Sequence, residues 1–152
     1  MARFTHPAIR SYGSTDLGTW TVEGGTDGDQ PTFTGDPLFS GHWTLIDGLC
    51  HFAIDVDMDN ITDFGSGQYF VKLPFVAKNN YLFSDGCLHD DSGGDEYSIL
   101  GHVEAGSDVL TLLSVASNGR QVPFEYNVPV TLAIEDAFHI AGIFEIDAEL
   151  SS

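Results

Sequence analysis

Positive charge is what this 152-residue chain has least of: 5 Lys and Arg stand against 23 Asp and Glu, a formal net charge of −18. A field of that sign repels phosphate backbones and anionic headgroups, so neither nucleic acid nor a membrane surface is an expected partner, and it keeps the chain soluble. Long apolar runs are missing too. None approaches the ~20 residues that cross a bilayer, and the start, Met1-Ala2-Arg3-Phe4-Thr5-His6-Pro7, lacks the continuous apolar stretch of a signal peptide. Synthesis in the cytoplasm without signal-led export is the expectation. Cysteine is scarce: Cys50 and Cys87 have no metal spacing and are too few for a disulfide framework, so both are read as buried free thiols. Apolar residues nowhere recur at helical spacing long enough to force a helix.

What is present is β-pattern. Hydrophobic residues make up 42% and charged residues 18%, and the length suits one domain with its own core. From Trp20 onward, short β-rich runs alternate with Gly, Asp, Asn and Pro at the spacing of an antiparallel sandwich, jelly-roll-like in kind. The clearest run is 49–58, in which Phe52, Ile54, Val56 and Met58 alternate with His51, Asp55 and Asp57: one face core, the other wet. Residues 41–46 precede it across Asp47-Gly48, a dipeptide that accepts the positive φ angles of a tight hairpin, so the two strands pair antiparallel. Further strands are predicted over 68–73, 81–88, 96–103, 109–115, 121–126 and 138–146, with Asn118-Gly119 as a second turn and 90–95 as a mobile surface loop. Residues 19–152 are thus one sandwich domain. Residues 1–18 carry two of the basic groups and no sustained period, and are read as an irregular N-terminal arm.

Chemistry is sparse. Asp55, Asp57, Asp59, Asn60 and Asp63 begin like a calcium loop, but the sixth and twelfth positions hold Asn60 and Ser66 where an EF-hand needs Gly and Glu. The solvent face of a strand explains them better, leaving calcium a minor alternative there and at the acidic loop 90–96. His6, His42, His51, His89, His102 and His139 lack zinc spacing, and His102-Val103-Glu104 has no Pro-Cys-x-x-Cys partner. His42 and His51 are placed to face each other across the Asp47-Gly48 hairpin, which is too little for a metal shell. No Gly-x-Ser-x-Gly elbow occurs, and neither cysteine has an activating context. Among 23 acids, some pair falls at glycosidase separation by chance, so paired carboxylates carry no signal. Gly65-Ser66-Gly67 has no Lys after it and is not a phosphate cradle. No metal, cofactor or catalytic residue is assigned, and the chain is read as no enzyme.

Several landmarks occur in order: Gly18-Thr19-Trp20-Thr21, then Gly41-His42-Trp43-Thr44-Leu45-Ile46-Asp47-Gly48, Gly65-Ser66-Gly67 and Leu73-Pro74-Phe75. Val128-Pro129-Val130-Thr131-Leu132-Ala133 follows, leading to Asp136 and Ile140-Ala141-Gly142-Ile143-Phe144-Glu145. Over residues 18–147 this pattern resembles a β-sandwich domain of minor tail and fibre proteins of tailed bacteriophages, especially those of actinobacteria. Leu132 stands where that family often has Trp, and Phe144 where it has Tyr. As fold markers, Pro74 ends a strand by withholding a donor, and Trp20 and Trp43 bring large apolar area to the core.

The resemblance implies a non-enzymatic virion structural protein made in the host cytoplasm, a minor tail protein first and a capsid decoration or head-fibre protein second. A glycan-degrading tail enzyme ranks third, since the chain is too short for an extended β-solenoid. It also implies a homo-oligomer, trimer favoured, with other virion proteins as partners and a host cell-surface glycan as the ligand in any adhesive role. Docking is assigned to the arm through Arg3, Phe4, Ile9, Arg10 and Tyr12: apolar side chains for a partner's groove, and arginines for acidic surface.

Overall fold

The computed structural model describes residues 16–20, 23–35 and 38–150, with side chains described from residue 23 onward, residue 38 excepted. Every regular element among them is a strand: β1 (Asp16–Trp20), β2 (Gly24–Thr26), β3 (Thr32–Phe33), β4 (Leu38–Ile46), β5 (Leu49–Asp57), β6 (Ile61–Asp63) and β7 (Tyr69–Lys72). Then come β8 (Tyr81–Phe83), β9 (Asp85–Asp90), β10 (Asp95–Val103), β11 (Val109–Val115), β12 (Gln121–Pro123) and β13 (Ala137–Glu145). Arg3, Phe4, Ile9, Arg10 and Tyr12 lie outside the described residues. Asp16, Leu17 and Gly18, which the sequence reading put in the arm, already pair with β4 as part of β1.

The β4–β5 hairpin forms for the reason its sequence suggests. Asp47 and Gly48 adopt φ of 50° and 79°, the left-handed pair of a two-residue turn whose twist matches the flanking strands. That turn sets Ile46 opposite Leu49 and fixes the register upward from there. Phe52, Ile54, Val56 and Met58 consequently face inward, none more than 3% exposed, while Asp55 faces solvent. Ile54→Ala should therefore lower stability by about 2–5 kcal/mol, and Asp55→Ala should leave it nearly unchanged, as read by urea unfolding. Equal losses at the two sites would mean the register is wrong.

Eleven strands form one antiparallel sheet in the order β1-β4-β5-β13-β9-β10-β11-β7-β2, with β12 on β11 and β8 on β10; β3 and β6 make a small second sheet. The all-β, antiparallel, sandwich-like expectation holds, but the two layers are one curled sheet. Strand β10 joins them: Asp95–Ser98 pair with β9 in the first layer, and Ile99–His102 pair with β11 in the second. Its other neighbour turns the same corner. Gly101 lies opposite Phe83 and Ser98 opposite Cys87, three steps on β10 against four on its partner, so a bulge separates β8 from β9. The predicted single strand 81–88 is therefore two strands, because a sheet bends most readily where one residue is left unpaired.

Between the layers lies an aromatic core. Phe52 meets Phe83 edge-on at 5.0 Å between ring centres and Phe144 at 5.8 Å, and Tyr81 stacks on Phe83 at 5.9 Å. Phe124, fully buried, packs against Tyr69 at 5.3 Å and Phe138 at 5.4 Å. Gly142 sits on β13 beneath the ring of Phe83, which occupies the space a Cβ would take. Trp43 is only half-buried and meets Phe75 edge-on at 4.9 Å, so it seals the rim of the core. Ser114, fully buried opposite Ile99, has a hydroxyl with no hydrogen-bond partner among the described residues. A buried polar group left unpaired costs about 1–3 kcal/mol. Ser114→Ala should accordingly raise the urea midpoint; a clear loss of stability would show that the hydroxyl has a partner.

Smaller expectations also change. His42 pairs with Ala53 and His51 with Thr44, so the two histidines lie diagonally and not face to face. Both cysteines are free, yet Cys87 is only half-buried whereas Cys50 is fully buried. Segment 90–95 is a hydrogen-bonded hairpin turn, with Asp90 buried at its base. The predicted strand 121–126 stops at Pro123.

Candidate functional site

Alternation along β5 turns Asp55 and Asp57 outward because Ile54 and Val56 turn inward. Pairing then brings other strands' polar groups beside them. Ser40 on β4 and His139 on β13 both lie opposite Asp55, and Ala137 lies opposite Asp57 on one side and His89 on the other. At about 4.8 Å between strands, four strands thus place two carboxyl and two imidazole groups on one outer face. They line an open cleft of about 660 Å³, which Ser40 and Phe39 border on the β4 side.

The far side of this face is an acidic and thiol cluster. The Cys87 thiol donates to Glu96 Oε2 at 3.2 Å, and His89 Nδ1 lies 3.6 Å from Glu96 Oε1. Partial burial raises the Cys87 pKa, and the hydrogen bond to Glu96 raises it further. Burial pushes Cys50 up to about 12. Both sulfurs therefore stay protonated near neutrality, and neither is an activated nucleophile. Among the described residues, no group of three or more His, Cys, Asp and Glu is placed to hold a metal ion.

Two buried acids adjoin the cleft residues in sequence, Asp136 next to Ala137 and Asp90 next to His89. Asp136, fully buried, accepts from Ala133 N–H at 2.7 Å and from Asp91 N–H at 3.1 Å, tying the approach to β13 to the β9–β10 turn. Asp90 accepts from Gly93 N–H at 2.9 Å and Ser92 Oγ at 2.8 Å. The Gly93 bond first, and the Ser92 bond next, hold the Asp90 carboxyl below the usual carboxylate range. Its contribution to stability is therefore full above the unfolded pKa of about 4 and is lost as pH falls through the lower folded value. Compared with wild type, Asp90→Asn should melt lower at neutral pH, and the gap should close in acid. A gap constant with pH would contradict this.

The arrangement is suited to hydrogen-bonding a polyhydroxylated ligand: carboxyl acceptors, a hydroxyl and imidazoles along a shallow cleft. The sequence places Asp55 and Asp57 together on the wet face of one strand and His89 and His139 among scattered histidines, without joining the two sets. Period-2 alternation signals which side chains point outward; the β5–β13 and β13–β9 pairings that assemble them have no local signature.

Comparison with known proteins is consistent with this architecture at the level of fold. No family model matches the chain, and no curated protein sequence does. The crystal structure of the Dettilon tailspike protein (gp208) is similar over 86% of this chain, with a TM-score of 0.59 and 15% identity. The matched region spans 24% of that protein. The chain therefore shares its fold with a part of a phage tailspike.

Proposed function

We propose that this chain is a non-enzymatic virion protein of a tailed bacteriophage, a minor tail protein held in the particle through residues 1–15. The fold shared with part of a phage tailspike is the observation that carries this reading. It gains support from the order of the landmarks between Gly18 and Glu145. On this reading the domain faces outward as a homo-oligomer, trimer favoured, and the cleft at Asp55, Asp57, His89 and His139 meets a glycan of the host surface. Protonated thiols at Cys50 and Cys87 speak against thiol-based catalysis. Arg3 and Arg10 then meet acidic surface of a neighbouring virion protein, with Phe4, Ile9 and Tyr12 filling its groove.

The test is a chain lacking residues 1–15, supplied during phage assembly. It should fold with the wild-type circular dichroism spectrum yet be missing from purified particles. Incorporation at full occupancy would place the docking surface on the β-domain instead.

A further inference from the structure

We infer that copies of this chain meet through the outer face of the second layer, formed by β7, β8, β11, β12 and the second half of β10. An antiparallel sheet with one wet face carries polar residues at its outward positions. This face carries Phe70, Leu82, Leu100, Val109, Leu113 and Val115, whose neighbours in sequence are the buried ones. Pairing places them side by side: Leu100 is opposite Leu113, and His102 lies between Leu82 and Thr111. Leu82 is 51% and Val115 40% exposed.

Charge identifies the occupant. The chain carries −18, yet no Asp or Glu occupies an outward position of these strands. Lys72, at the rim, is engaged by Glu23 at 3.6 Å. The first layer differs in charge: its outer side also carries exposed Ile46, Leu49 and Ile143, but sets them among Asp55, Asp57, Asp85, Glu96 and Glu145. Two like-charged copies meeting there would set acid against acid. A basic partner would be drawn to that first layer and would gain nothing from the second. A second copy of this chain is the partner that the second-layer face fits on a strongly acidic molecule, because that face's acids, Glu104 beside His102 and Val109 among them, stand only at the edge. Salt screens the remaining repulsion, so association tightens as ionic strength rises.

This surface rests on the homo-oligomer of the reading above, and sedimentation equilibrium on the full chain separates the two. Wild type should associate, more tightly at high salt than at low. Leu82→Asp and Leu113→Asp should each raise the dissociation constant at least ~30-fold, while Leu49→Asp, on the first layer, should leave it unchanged. Leu82 is the more exposed, so its variant decides the matter if Leu113→Asp melts early. A wild-type monomer at every concentration and salt would sink both the oligomer and this surface. A wild-type oligomer that survives Leu82→Asp, or that Leu49→Asp dissolves, would overturn the surface alone.

Discussion

Phe144→Ala is expected to lower the unfolding free energy by about 3–5 kcal/mol, measured by urea denaturation at neutral pH. Phe144 is 1% exposed and stands on β13, the strand that ties β5 to β9. Its ring meets Phe52 at 5.8 Å, and Tyr81 and Phe83 each at 6.3 Å, so one truncation opens the contact between the two layers. The aromatic neighbours cannot close the gap, since Tyr81 is pinned by its hydroxyl accepting from Glu145 N–H at 3.0 Å. Phe144→Leu keeps most of the volume and should lose much less. A loss below about 1 kcal/mol for the alanine variant would mean that the layers are not joined through this cluster.

Asp136→Ala should cost about 2–4 kcal/mol, because two part-buried backbone N–H groups lose their acceptor at once and each such bond to a carboxyl group contributes roughly 1.5–3 kcal/mol, less where water can replace it. The Asp136 backbone carbonyl also accepts from Met58 N–H at 3.0 Å, so one residue joins the ends of β5, β9 and β13. Asp136→Asn retains one carbonyl acceptor and should fall between wild type and alanine. Thermal melts that rank alanine level with asparagine would show that only one of the two bonds matters.

Local pattern carried much of this architecture. Strand β11 coincides with the 109–115 run, and β5 differs by one residue from 49–58, because each alternates over seven or more residues with one face buried. Strands β2, β3 and β6 are two or three residues long, too short to show any period. The bulge between β8 and β9 left a trace, since Tyr81 and Phe83 face inward at odd positions and Leu88 at an even one. A run read as a single strand hides such a change of phase. Asp136 was visible as a landmark, but its burial was not, because polarity alone places an aspartate at the surface. The candidate cleft was least legible: its groups come from strands far apart in sequence, and nonlocal pairing has no short-range signal.

The proposal of a tail-associated virion protein is best checked by cryo-electron microscopy of purified phage particles assembled in the presence of this chain, with the β-domain fitted to the density. Density for this domain is expected on the tail, with the cleft at Asp55 and His139 turned outward and residues 1–15 running into a neighbouring subunit. Density on the capsid shell, or absence of the chain from the particles, would contradict it.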